Sequence, residues 1–127
     1  MIPNDRLFHE GHLWIMMEDD GNASIGITHH AQDSLGEIMY VELPGVGDAI
    51  QQNLPFGVIE SVKVASDLVS PISGTVYLVN DAVPADPCCI NRDPYQEGWL
   101  LKVKVSDESE LASLMSPESY KRFINGD

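Results

Sequence analysis

Apolar residues in the first two thirds of the chain fall in short runs separated by turn residues. Leu13-Trp14-Ile15-Met16-Met17 is one run, closed by Glu18-Asp19-Asp20-Gly21-Asn22, a strong turn signal. Residues 23–27 alternate weakly and predict the return strand of a hairpin. Residues 28–36 predict a short helix, with Thr28 as N-cap and Gly36 just past its end. Further strands are predicted at 37–43, 56–62, 64–69 and 75–80, and a last one at 98–105 with Lys102 and Lys104 on one face. Pro44-Gly45 stops the first of these, and residues 71–74 read as a turn. Residues 46–52 are turn-rich, and residues 81–94, with three prolines, read as a loop.

The end of the chain changes character. In residues 107–115, Leu111, Leu114 and Met115 recur at helical spacing, and Asp107 and Glu110 stand three apart as in a capping box. Ser116-Pro117 then predicts a second short helix with proline in its first turn. Many short strands at close spacing predict a mainly β sandwich or flattened barrel, with helices as appendages at the C-terminus and after the first hairpin. A length of 127 residues predicts one domain, 1–127.

Charge narrows the function. Seven Lys+Arg against 20 Asp+Glu give a net charge of −13. Such a chain lacks the basic footprint for phosphate backbones and is repelled by anionic membranes, which argues against nucleic-acid and membrane partners. No apolar run approaches the length of a membrane span, and the N-terminus has no secretory or transit pattern. The expectation is a soluble, cytoplasmic monomer. The two cysteines, Cys88 and Cys89, are adjacent, a spacing that disfavours a mutual disulfide. One reads as a small buried apolar residue; the alternative is a thiol poised for exchange. His29 and His30 are adjacent and so cannot form a two-histidine metal site at helical spacing, and His9 and His12 would share a face only on a helix. No metal site is expected, and no phosphate loop, dinucleotide fingerprint or nucleophile elbow is present.

One basic side chain, Lys63, stands alone between Arg6 and Arg92. It sits in Glu60-Ser61-Val62-Lys63-Val64-Ala65-Ser66-Asp67, where two predicted strands meet. Tight turns usually carry Gly, Asn, Asp or Pro, and Val-Lys-Val carries none of them. A lone surface lysine is ordinarily a solvated charge or a weak ion pair, here with Glu60 or Asp67. The other reading is a modification site, since an amine on a flexible stem at an exposed tip suits covalent attachment of a carrier group.

Motifs along nearly the whole chain bear on that choice. They are His12-Leu13-Trp14, Gly26-Ile27-Thr28-His29-His30-Ala31-Gln32, Tyr40-Val41-Glu42-Leu43-Pro44 and the segment from Phe56 through Asp67. Ser70-Pro71-Ile72-Ser73-Gly74, Asp93-Pro94-Tyr95 and Gly98-Trp99 continue the pattern. On these the chain resembles the glycine cleavage H-protein family. The resemblance implies a lipoyl-domain-like hybrid β-sandwich and a non-catalytic carrier with lipoic acid in amide linkage on Lys63. Glu60, Ser61, Val62, Val64, Ser66 and Asp67 would flank the lysine as recognition and arm contacts. The implied partners are glycine decarboxylase, aminomethyltransferase, dihydrolipoyl dehydrogenase and a lipoate ligase or lipoyl transferase. The arm would shuttle the aminomethyl group of glycine, folded into a cleft beside the hairpin. Two departures from the family stand out. Leu13 stands where it usually has a glutamate that helps hold the aminomethyl nitrogen, which leaves Glu10 or Glu18 to compensate, or the contact dispensable, or a different cargo. Cys88-Cys89 replaces a more usual acidic residue and leucine. H-like lipoyl carriers in sulfur oxidation are the alternative.

Overall fold

The computed structural model describes residues 2–18 and 21–126, so the Asp19-Asp20 part of the first turn lies outside the described residues. In chain order the strands are β1 (Leu7–Phe8), β2 (Leu13–Met17), β3 (Asn22–Ile27), β4 (Ile38–Glu42) and β5 (Ala49–Ile50). They continue as β6 (Pro55–Ser61), β7 (Ala65–Val69), β8 (Gly74–Val79) and β9 (Leu101–Val105). Two antiparallel sheets result. One runs β1-β2-β3-β9-β8-β5 and the other β4-β6-β7.

The alternation of apolar residues sets the pairing. Leu13 lies opposite Ile27 and Ile15 opposite Ile25, and all four are buried. On β9, Leu101 and Val103 are fully buried while Lys104 is exposed. These side chains meet Ile38, Val41, Ile59 and Leu68 of the smaller sheet in one core. Burying each such side chain is worth roughly 1.5–3 kcal/mol, and a one-residue slip would turn a whole set outward. Phe8, Trp14 and Tyr120 form a second cluster, with the Phe8 and Tyr120 rings stacked 4.6 Å apart.

The helix after the first hairpin, α1 (His29–Leu35), is capped as expected: Thr28 Oγ1 accepts from the Ala31 N–H at 3.1 Å, and Gly36 ends it at φ +79°. Three expectations need correction. Residues 81–94 are not a loop but carry α2 (Ala82–Ala85) and α3 (Cys88–Arg92). Pro84 and Pro87 fall in or just before a first turn, where a missing N–H costs nothing, so they start helices instead of preventing them. The turn-rich stretch 46–52 contains β5, which pairs with the start of β8. The stretch 107–115 is a 3₁₀ helix, Glu108–Ser113. Asp107 caps it, accepting from the Ser109 N–H at 3.0 Å, but the Glu110 carboxylate accepts from Ser73 N–H and Oγ–H, both at 2.8 Å. The capping box is thus only half made. Helix α4 (Pro117–Ile124) starts at Ser116 as expected, with Oγ accepting from the Ser119 N–H.

Candidate functional site

Strands β6 and β7 form a hairpin, with Glu60 opposite Ala65 and Ile59 opposite Ser66. Its tip is Val62-Lys63-Val64. Ser61 does the work that turn residues usually do. Its N–H donates to the Val64 carbonyl at 2.8 Å, and its Oγ accepts from the N–H groups of Lys63 and Val64 at 3.1 and 3.2 Å. A second anchor comes from outside the hairpin: the Val62 N–H donates to the Glu37 carbonyl at 3.0 Å. The lysine stem lies against Gly36, where a β-carbon would stand 3.1 Å from Lys63 Cε. Lys63 is exposed and forms no ion pair among the described residues, so the weak pair with Glu60 or Asp67 is not made. Val62 and Val64 flank it at 60% and 50% exposure.

Beside the hairpin, a cleft of about 260 Å³ opens between the start of β2, helix α1 and strand β7. Its lining includes His12, Leu13, His30, Ala31, Ser34, Leu35, Ser66 and Asp67. Of the flanking residues expected from the sequence, Ser66 and Asp67 reach this cleft. Ser61 closes the turn, Val62 and Val64 hold the tip, and Glu60 is exposed opposite Tyr40 of β4. Leu13, 2% exposed, makes an apolar wall. Neither glutamate expected to compensate for it is there. Glu18 accepts from Ser24 Oγ at 2.6 Å and pairs with Lys102 at 3.3 Å, and Glu10 lines a different pocket with His9 and Asn53. Asp67 is the one carboxylate in the cleft lining among the described residues.

Histidine chemistry at the cleft was not legible in the sequence. His12 sits at φ +68°, and its Nδ1 is 2.8 Å from the Tyr120 hydroxyl, itself 2.8 Å from Thr28 Oγ1. The His30 ring lies 4.8 Å away. Burial, then the neighbouring His30 and His9, holds His12 below its ordinary value, while burial pushes Tyr120 up to about 12. Well above the ordinary histidine value of about 6.5, both folded and unfolded chains keep His12 neutral. As pH falls below that value the unfolded chain takes up a proton that the folded ring resists, so stability falls until the folded ring also titrates. Urea denaturation at pH 7.5 and 5.5 should show this loss. His12→Asn, which tolerates the left-handed backbone, should flatten it.

Cys89 is buried and its thiol is pushed up by that burial and by Asp86, as a small core residue's would be. Cys88 is half-buried, with Sγ 3.6 Å from the Ile38 carbonyl. His29 is exposed, its Nδ1 3.1 Å from Gln32 Nε2, and no group of three potential metal ligands forms among the described residues.

Comparison with known proteins places this geometry. The family model described as Glycine cleavage H-protein matches residues 6–127. A glycine cleavage system H protein of Carboxydothermus hydrogenoformans is 50% identical over 125 residues, covering 98% of this chain and 95% of its own length. One from Rubrobacter xylanophilus is 50% identical over 121 residues, covering 95% and 93%. The crystal structure of a glycine cleavage system H protein from Mycobacterium marinum superposes with a TM-score of 0.90 at 36% identity, covering 99% of this chain and 100% of that one. A match of this extent to the family model, with relatives at half identity end to end, means that the chain belongs to the glycine cleavage H-protein family.

Proposed function

We propose that residues 1–127 act as one carrier unit, lipoylated on Lys63, in glycine catabolism. The observation that carries this is the placement of Lys63: an exposed amine without an ion pair among the described residues, at the tip of an anchored hairpin, next to a cleft. Attachment needs only the neutral ε-amine. Its lone pair attacks an activated lipoyl carbonyl, the amide forms, the activating group leaves, and the nitrogen gives up a proton to solvent. A dithiolane on that lysine supplies a disulfide that opens to accept an aminomethyl group and two electrons.

The rest is what the chain does for that group. The Ser61 turn and the Glu37 carbonyl fix where the lysine leaves the fold. Val62 and Val64 give a modifying enzyme apolar side chains to grip. Lys63 and Ser66 are three residues apart, at most about 10 Å along the chain, so an arm of a lysine and an eight-carbon acid spans to the cleft. Once inside, Leu13, Ala31 and Leu35 exclude water from labile cargo, and Asp67 supplies the negative charge an ammonium needs. The net charge of −13 steers the carrier to basic docking faces on its partners. By this reading they are glycine decarboxylase, aminomethyltransferase, dihydrolipoyl dehydrogenase and a lipoate ligase or lipoyl transferase, in the cytoplasm. The relatives' names favour glycine cleavage over the sulfur-oxidation alternative.

Intact mass and peptide mapping test this. After lipoylation, incubation with glycine and glycine decarboxylase should add an aminomethyl group to the arm on Lys63. A lipoylated chain left unloaded by an enzyme that loads another H protein would refute the glycine reading. A related expectation concerns the departed position. Leu13→Glu puts a second carboxylate on the cleft wall, which should slow loss of bound aminomethyl about tenfold, ~1.4 kcal/mol in affinity. The same change lowers the melting temperature of the unloaded protein, because the carboxylate is buried without a partner. Loss of cargo followed by mass, and melting by circular dichroism, check the two halves.

A further inference from the structure

We propose that Asn91 is a positioning residue for Lys63: its carboxamide clamps the Gly36–Glu37 shelf on which the lysine rests, and so sets how the amine is offered to the enzyme that modifies it. The proposal rests on the modification reading above and names a residue that never touches the lysine.

Hydrogen bonds connect the two residues through the shelf. Asn91, on α3, uses three of its four hydrogen-bonding directions at one place. Its Oδ1 accepts from the Ile38 N–H at 3.0 Å, the first amide of β4. Its Nδ2 donates to the Gly36 carbonyl at 2.8 Å and to Gln32 Oε1 at 3.0 Å. One side chain therefore ties the last turn of α1 to the start of β4 and fixes the two residues between them. Those two residues meet the hairpin at its tip. Gly36 offers a bare backbone to the lysine stem, and Glu37 accepts the Val62 N–H, the bond that ties the tip to the body. Among the described residues, the tip makes no other backbone hydrogen bond to a part of the chain outside the hairpin. Gly36 also needs a clamp, because its backbone at φ +79° and ψ −155° belongs to no regular element that would hold it.

Remove the carboxamide and three partners are released together: a helix-terminal carbonyl, a strand-initiating amide and a buried glutamine. The shelf then drifts, and the tip with it. A tip that holds its docking pose only about a tenth of the time weakens apparent affinity for the modifying enzyme about tenfold, so the KM for the carrier is the sensitive readout.

The experiment measures steady-state kinetics of lipoylation by a lipoate–protein ligase, with the protein as the varied substrate, alongside amide hydrogen exchange. Asn91→Ala should raise KM about tenfold with kcat within about twofold, and exchange of the Val62 amide should speed by a comparable factor. Asn91→Asp keeps the acceptor for Ile38 but loses both donated bonds; it should fall between, and it keeps the test alive if the alanine variant does not fold. Val103→Ala, a core truncation on β9 of the other sheet, controls for lost stability alone. The proposal is overturned if both Asn91 variants match wild type in KM and Val62 exchange, or if Val103→Ala raises KM as much as they do. A wild-type chain that no ligase modifies would instead defeat the carrier reading. Val62 exchange, which needs no lipoyl group, would still decide whether Asn91 clamps the tip.

Discussion

Lys63→Arg should leave the fold untouched and abolish lipoylation. The substitution keeps a positive charge on an exposed stem of similar length, so it changes no buried contact and no ion pair among the described residues. Melting temperature should stay within about 2 °C, since surface substitutions of this kind rarely move stability beyond about 0.5 kcal/mol. What changes is nucleophilicity. An ammonium gives up its proton to leave an attacking amine, whereas the delocalised guanidinium stays protonated at any pH the protein survives. Modification should therefore fall below detection, a loss of at least about a thousandfold, since no other residue type here can replace an amine at that tip. Intact mass after incubation with ligase reads it directly. The decisive contrast is with Lys102 and Lys104. They lie on β9, Lys102 against Glu18 and Trp99, and neither is at a turn. Lipoyl mass on either of them, or on Lys63→Arg itself, would show that the ligase does not select the hairpin tip.

Much of this site was legible in the sequence because its logic is local. The strands of the Lys63 hairpin show as apolar runs, and the missing turn residues at Val62-Lys63-Val64 mark the tip as unusual. The compensating device was also in plain view as Ser61, yet a serine before a turn is too common to signal one. Thr28 and Gly36 predicted both ends of α1 correctly, since caps act within a few residues. What escaped was set by contacts distant in sequence. Asn91 meets Ile38 across 53 positions, and Gln32 across 59. Nothing in the local pattern of residues 81–94 announces that role. Three prolines there suggested a loop, whereas Val83 and Ile90, both fully buried, drew the segment into helices. The compensation expected of Glu10 or Glu18 failed for a related reason. Both are near Leu13 in sequence, but strand geometry sends Glu18 to Ser24 and Lys102, and the turn before β2 carries Glu10 into another pocket. The carboxylate that does line the cleft, Asp67, comes from the lysine's own hairpin.

The largest stability change expected from a single methyl group is Gly57→Ala. Gly57 sits on β6 where the register against β7 shifts, opposite Leu68, with Glu42 of β4 paired to the next residue, Val58. A β-carbon at 57 would lie within the van der Waals envelope of the Glu42 carbonyl oxygen and 3.5 Å from Leu68 Cδ1. The leucine can rotate away, but the oxygen is backbone and cannot. It moves only if β4 moves, and β4 is held to β6 by the pairs Val41 with Ile59 and Tyr40 with Glu60, and to α3 by the Asn91 clamp. Relief therefore separates the edge strand β4 from the central strand β6 and opens the core at Val41 and Ile59. A clash of this kind costs about 3 kcal/mol, and at roughly 3–5 °C per kcal/mol for a chain of this size the melting temperature should drop by about 10–15 °C. Below that transition the variant should still be lipoylated at near wild-type KM. The tip is closed by Ser61 and held by the Glu37 carbonyl, and neither contact involves residue 57. Thermal melts and ligase kinetics on the same preparation separate the two effects. A Gly57→Ala protein melting within about 2 °C of wild type would mean that β4 yields at Glu42 without cost. One that melts as expected but has lost its affinity for the ligase would mean that strain in β6 travels to the tip, and that the lysine's presentation depends on the whole small sheet and not on the shelf beneath it.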